Sequence, residues 1–282
     1  MKTIDEDTRV NLPGDFIEIS NGVVHYEIAG PENGTLVTLI HGMATSMFGW
    51  DRTCEALAQS GFRVWRYDLF GRGFSDRPDT IYDLELYIRQ LRELLSVLNV
   101  DQKVNLIGWS MGAAISAAFT KQFPDHVDKV VWLAPAGFPA ERAPFLKLFT
   151  IPVISDILMA LVGEKLILKG LRGHFYNREL LPAYIEKFKL QMEYDGFMRA
   201  IHSTAKHFPW DLTDTFKQVG DQQRPILLIW GEQDEITPYR FHQKVLELMP
   251  SIEFFSVSEA KHAVHYEKPE LVNQRIVEFL RQ

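Results

Sequence analysis

The spacing of apolar and polar residues changes rhythm along the chain. DFIEIS (15–20) and VVHYEIAG (23–30) alternate apolar and polar positions, the period of two expected of half-buried strands. Asn21-Gly22 between them predicts a hairpin whose two turn residues take positive φ. Four short apolar runs then follow: TLVTLI (35–40), FRVWRYD (62–68), KVNLIG (103–108) and KVVWLA (129–134). Short runs rich in β-branched and aromatic residues suit strands buried on both faces of a parallel sheet. Helical periodicity occupies about 46–60, 83–98 and 110–123 between them, which predicts βαβ units with right-handed crossovers. The same rhythm returns at PILLIW (225–230), a helix over 238–249, IEFFSV (252–257) and a last helix over 268–281 opened by Lys268-Pro269-Glu270. From about Phe138 to Val219 the strand signal is missing, and aliphatic residues recur at helical spacing, broken by Pro139, Pro144 and Pro152. The expectation is an α/β fold with a mostly parallel eight-stranded sheet flanked by helices and a helical cap inserted after the sixth strand. Residues 1–137 and 220–282 would form the core, and 138–219 the cap.

Composition removes several classes. With 282 residues, a core of ordinary size needs no disulfide or metal, and Cys54, the single cysteine, cannot form an internal disulfide. Cys54 lies in the helical stretch DRTCEALAQS and reads as a packed residue rather than a nucleophile. A net charge of −7 argues against nucleic acid as a partner. Lys165, Lys169, Arg172, Arg178, Lys187 and Lys189 gather in the cap region, but acidic residues interrupt them, as on a solvated face. The N-terminus shows no apolar signal segment, and no apolar run reaches the ~20 residues of a membrane span, so a cytoplasmic protein is expected.

The chemistry starts from VNLIGWSMGAAISAAF (104–119). Gly108 and Gly112 flank Ser110 where a strand turns into a helix, and the spacing Gly-x-Ser-x-Gly relieves crowding where a sharp elbow lifts a hydroxyl out of the sheet. A serine hydroxyl needs a base, and the base needs an acid to orient it. Two loops beyond strands at the same sheet edge carry candidates. WGEQDEITP offers Glu232, Asp234 and Glu235, and SEAKHAVHYEKPE offers His262 and His265. Asp68, which ends the fourth strand, is a less favoured acid, and His41 is read as a loop-organising side chain. The His262/His265 spacing fits no metal motif, so neither a metal nor a cofactor is expected.

Four local patterns together, HGM (41–43), DLFGRGFSDRP (68–78), GWSMG (108–112) and GEQDEITP…KHAVHYEKPE, make the chain resemble the α/β-hydrolase fold superfamily over nearly its whole length, in particular its serine esterase and lipase-like members. The resemblance implies Ser110 as nucleophile, His262 as general base, and Asp234 as orienting acid, chosen through the pattern Gly231-x-x-Asp-x-x-x-Pro238. It further implies an oxyanion hole made of the backbone N–H groups of Met43 and Met111. Trp109 and, in the apolar cap, Phe149 and Leu158 are the expected substrate contacts. Serine at the elbow disfavours the branches that use aspartate there. Carbon–carbon bond hydrolases of the meta-cleavage type usually place Asn before the serine and Trp after the base, where this chain has Trp109 and Ala263. A small-molecule carboxylic ester is therefore the expected substrate, cleaved by a lipase-like or medium-chain carboxylesterase. A carbon–carbon hydrolase and a non-catalytic ligand-binding member are the alternatives. The aliphatics between Leu146 and Val162 either only pack against the sheet or line an acyl pocket. Exposed, they would offer a surface to a membrane or a partner subunit.

Overall fold

A computed structural model describes residues 2–139 and 154–282, with backbone alone for 154–161. After a short N-terminal helix, α1 (Glu6–Arg9), β1 (Asp15–Ile19) and β2 (Gly22–Ala29) form the antiparallel hairpin. Six further strands follow: β3 (Leu36–Ile40), β4 (Arg63–Tyr67), β5 (Val104–Trp109), β6 (Val127–Leu133), β7 (Ile226–Gly231) and β8 (Glu253–Val257). They make one sheet in the order β1-β2-β4-β3-β5-β6-β7-β8, antiparallel where β2 meets β1 and β4, and parallel from β4 onward. All residues of β3, β5 and β7 are buried, as their unbroken apolar runs require. Helices α2 (Asp51–Gln59), α3 (Leu84–Val97), α4 (Met111–Gln122), α9 (Phe241–Leu248) and α11 (Pro269–Arg281) connect or follow the strands, and a single turn, α10 (Val264–Glu267), precedes the last. No helix among the described residues is long and apolar enough to cross a membrane.

The chain leaves β3 toward β4 and returns to place β5 on the other side of β3, so the strand order reverses between them. Crevices open at the carboxyl ends of strands at such a switch point. Between β6 and β7 run α5 (Ile154–Gly170), α6 (Leu181–Met192), α7 (Phe197–His207) and α8 (Thr213–Gly220). The helical insertion thus follows the sixth strand. Its last helix comes back to the sheet layer: α8 packs on α4, and Phe216 meets Trp132 edge-on at 4.8 Å.

The hairpin forms one residue earlier than the Asn21-Gly22 reading predicts. Ile19 pairs with Gly22, so Ser20 and Asn21 are the loop, and of the expected pair only Gly22 has positive φ, +134°. Tertiary contacts override the dipeptide preference. Glu93 of α3 accepts from the Ser20 amide and hydroxyl at 2.9 and 2.7 Å. Asp76 accepts from the Val23 amide at 2.8 Å and fills the space where a Cβ on Gly22 would stand.

Several buried histidines lock loops together. His41 donates from Nδ1 to Gly42 O at 2.8 Å and accepts at Nε2 from the Leu69 amide at 2.9 Å, which ties the β3 and β4 loops. His265 reaches Gly49 O through Nε2 at 3.1 Å and packs on Trp50. Burial keeps both neutral, with pKa values lowered from 6.5 to about 4 and about 3. His25 is the opposite case. Its two nitrogens face Asp68 Oδ2 and Pro13 O, each at 2.7 Å, so both carry protons. Burial opposes that charge, but the Asp68 hydrogen bond and charge outweigh it and raise the pKa. The His25 contribution is complete below its unfolded pKa and is lost as pH rises through the raised folded value. His41 and His265 work the other way: their contribution is complete above 6.5 and is lost as pH falls. Below 6.5 the unfolded chain binds protons that these two rings refuse in the fold. Urea-unfolding free energy should therefore decline from pH 6.5 toward 4.5, by up to about 1.4 kcal/mol per pH unit for each ring. His265→Gln should flatten that decline, and an unchanged slope would refute the assignment.

Candidate active site

Ser110 ends β5 with φ +56° and ψ −117°, a conformation costing of order 1–3 kcal/mol for a residue with a side chain. Hydrogen bonds on both sides hold it there. Its amide donates to Leu133 O at 2.9 Å, and its carbonyl accepts from Ala113 and Ala136 at 3.0 and 3.1 Å. The flanking glycines are a steric necessity, since a Cβ on Gly108 would overlap Gly112 O and one on Gly112 would overlap Ile40 O. The turn leaves Ser110 partly exposed at the start of α4 while its neighbours Trp109 and Met111 are buried.

Asp234 and His262 arrive on the loops after β7 and β8, adjacent strands, and Gly231 lets the two loops touch where a Cβ would overlap the Ala260 and Lys261 carbonyls. Asp234 builds its own turn, accepting at Oδ1 from the Ile236 and Thr237 amides at 2.8 and 3.2 Å. Its Oδ2 accepts from Trp230 Nε1 at 3.2 Å and from His262 Nδ1 at 2.8 Å. Thr237 Oγ1 lies 2.9 Å from Asp234 Oδ2, 3.1 Å from Ala134 O and 3.2 Å from His262 Nδ1. Because an ionised carboxylate only accepts, the proton sits on Nδ1 and Nε2 is left unprotonated in the neutral ring. The sequence left Glu232, Glu235 and His265 as alternatives. Both glutamates are exposed, and His265 is enclosed against Trp50 and Trp109. Asp68 is tied elsewhere, accepting from the Met47 and Phe74 amides at 2.8 and 2.9 Å besides pairing with His25.

Ser110 and His262 share a cavity of about 660 Å³ with Gly42, Met43, Trp210, Ile236 and Phe241. A larger groove of about 730 Å³ beside Arg77 and Tyr194 contains none of these polar groups. Gly42 stands against Ser110, where a Cβ on it would come 3.4 Å from the Ser110 Cβ. Arg72, fully buried, fixes the next residue by donating from Nε to Met43 O at 2.8 Å, and its Nη2 donates to Thr204 of α7 at 2.7 Å. Met111 is the first residue of α4, where backbone N–H groups lack intrahelical partners. Trp109 also borders the cavity, but it is 1% exposed and its indole N–H donates to His262 O at 2.8 Å. Its position is that of a brace beneath the histidine more than of a wall for substrate. Phe149 lies outside the described residues, and Leu158 is described only as part of the α5 backbone.

Three further residues at the site went unread in the sequence: Thr237, Arg72 and His174. His174, in the 3-10 turn after α5, borders the same cavity, with its ring 5.3 Å from that of His262 and edge-on to Trp109 at 5.5 Å. Burial, reinforced by the nearby His262 and His265, holds its pKa well below the ordinary value. The Ala263 amide donates to His174 O at 3.0 Å. Glu267 completes the join, accepting from the Lys261 amide at 2.7 Å and from the Tyr176 and Asn177 amides at 2.6 and 2.8 Å. In the sequence Glu267 appears only within the pattern KHAVHYEKPE, and nothing there points to position 174.

The family model for the alpha/beta hydrolase fold matches residues 35–269. The chain belongs to that family. Among its relatives is a Bacillus subtilis protein described as the uncharacterized hydrolase YugF, 27% identical, with 91% of this chain and 93% of that one covered. The 2-hydroxy-6-oxononadienedioate/2-hydroxy-6-oxononatrienedioate hydrolase of Paraburkholderia phymatum is also 27% identical, covering 92% of this chain and 91% of that one. Of solved structures, the enol-lactonase from Burkholderia xenovorans LB400 shares the fold with a TM-score of 0.80 at 18% identity, covering 95% of this α/β hydrolase and 100% of that chain.

Trp109→Phe would preserve the ring packing but leave the buried His262 carbonyl without its donor. Urea unfolding should show a loss of about 1–2 kcal/mol. A variant as stable as the parent would mean that the indole hydrogen bond is not what holds this loop.

Proposed function

We propose that this α/β hydrolase cleaves carboxylic esters by nucleophilic catalysis at Ser110. The Ser110 Oγ attacks the acyl carbon as its proton passes to His262 Nε2. Asp234 holds the ring by its Nδ1–H and stabilises the imidazolium that forms. The developing oxyanion lies against the Met43 and Met111 amides, donors of a kind worth about 3–4 kcal/mol each in related chemistry. The alcohol departs with the proton from His262, and water activated by the same ring releases the acid. The observation that carries this reading is the His262–Asp234 bond of 2.8 Å, with the other face of the imidazole open to the cavity holding Ser110.

The charge around the cavity favours an uncharged substrate. Its described charged lining residues are Asp211, Glu235 and Arg240, all at the exposed rim, and the imidazole further in, His174, is neutral. A dienedioate would bring two carboxylates to a cavity where no described buried cation could balance them. The second reading, carbon–carbon hydrolysis of a dienoic acid, is favoured by the relative described as 2-hydroxy-6-oxononadienedioate hydrolase. Against it stand Trp109, hydrogen-bonded beneath His262, and Ala263, enclosed in the core. A medium-chain acyl group is the preferred ester; the aliphatic stretch from Leu146 to Leu161 expected to line its pocket lies outside the residues whose side chains are described. Val162 itself is on the outside, 37% exposed.

A fluorophosphonate probe should label the parent but not Ser110→Ala, and p-nitrophenyl ester turnover should fall at least ten-thousand-fold in Ser110→Ala and about as far in Asp234→Asn. Butyrate or octanoate should exceed acetate in kcat/KM, and a strict preference for acetate would dismiss the acyl pocket. Labelling without ester turnover, joined to cleavage of a 2-hydroxy-6-oxo-dienoate, would establish the second reading instead.

A further inference from the structure

His174 is a polar residue that the serine, histidine and aspartate roles leave unused. It lies in the cap, yet it borders the Ser110 cavity and its ring stands edge-on to His262 at 5.3 Å. Its Nδ1 is buried without a protein partner, which leaves Nε2 as the nitrogen available to a bound molecule. The groups packed around it are Trp109, Phe175, Tyr184, His262 and His265, none of them a carboxylate. A neutral imidazole with an unpartnered Nδ1 is cheapest with its lone pair there and its proton on Nε2, because a buried N–H without an acceptor forfeits a full hydrogen bond. The backbone fixes the ring relative to the catalytic loop, since His174 O accepts from the residue directly after His262.

Resting on the ester-hydrolase reading, we propose that His174 is a catalytic residue supplied by the cap, donating a hydrogen bond to the leaving-group oxygen of the bound ester. As the bond from Ser110 Oγ to the acyl carbon forms and the carbon–oxygen bond to the alcohol breaks, negative charge grows on that oxygen. His262 delivers the proton it took from Ser110. His174 keeps its own proton and stabilises the oxygen until that transfer is complete. Both rings line the Ser110 cavity, so a leaving-group oxygen bound there can meet His262 and His174 together. The group is useful in proportion to the basicity of the alcohol, so the structure assigns the enzyme to esters of weakly acidic alkyl alcohols more than to esters of phenols.

The test is a leaving-group series of butyrate esters, from p-nitrophenyl through trifluoroethyl to ethyl, run on the parent, His174→Phe and His174→Gln, with thermal melting of each. In His174→Phe, kcat/KM for the ethyl ester should fall about 100-fold more than for the p-nitrophenyl ester. The dependence on leaving-group pKa should steepen, and His174→Gln, which retains an N–H donor, should recover part of the difference. An equal loss on every ester, or no loss, in folded protein would overturn the proposal. If His174→Phe does not fold, His174→Ala, which also lacks a donor, decides it by the same ratio. Failure of the parent to react with a fluorophosphonate would bring down the ester-hydrolase reading itself, whereas a labelled parent with a uniform loss in the variants brings down only the role of His174.

Discussion

The arrangement depends on one strained residue. Ser110, at φ +56°, stands where β5 becomes α4, and the sheet holds it there. β5 is buried between β3 and β6, so the elbow is anchored on both sides and cannot relax by shifting the strand. The Leu133 carbonyl on one neighbour and the close approach of Gly112 to Ile40 on the other leave the chain a single path. A conformation that would be unfavourable alone is compatible with a stable fold because it is over-determined by contacts formed anyway.

Among the described residues, two buried aspartate–histidine pairs use an aspartate just beyond a strand, Asp68 after β4 and Asp234 after β7, with nearly equal lengths of 2.7 and 2.8 Å. They differ in the second ring nitrogen. In His25 it is closed off by Pro13 O, so the pair is a structural clamp that also organises the Met47 and Phe74 amides through Asp68. In His262 the second nitrogen remains open toward the cavity with Ser110. Pairing and burial are common to both; the difference is the free ring nitrogen of His262, on which its proposed role as base rests.

The cap is fastened to this edge by polar contacts rather than merely laid over it. Arg72 bridges the loop after β3 to Thr204, Tyr184 donates to Thr45 at 3.0 Å, and Gln191 accepts from the Gly73 amide at 2.9 Å. The Arg72 guanidinium, without a carboxylate in hydrogen-bond contact among the described residues, also lies 5.9 and 5.7 Å from the Tyr82 and Tyr87 ring centroids. Such contacts couple the position of the Met43 amide to the seating of α7. In the same way Glu267 couples the His262 loop to residues 176 and 177. Backbone geometry around Ser110 and His262 and the position of the cap are thus joined through hydrogen bonds.

Much was legible in the chain. Short apolar runs marked every parallel strand to within about two residues, most clearly β3, β5 and β7, which are buried along their whole length. The elbow was legible for a local steric reason, since no Cβ fits at Gly108 or Gly112, two residues to either side of Ser110. The choice of Asp234 over Glu232 and Glu235 was legible only through family resemblance, and burial supplies its physical basis. The hairpin register was not legible, because Glu93 and Asp76 are far away in sequence. Trp109, expected as a substrate contact, borders the cavity, but its N–H bond to His262 O, a partner 153 residues distant, was not legible. Arg72 and Thr237 lay inside recognised patterns without being singled out, and His174 carried no local signature. Sequence by itself determined the elements and the elbow, whose causes are steric and act between near neighbours. Tertiary structure alone decided which polar groups meet, because a hydrogen bond across more than a hundred residues exists only after the sheet has set its strand order.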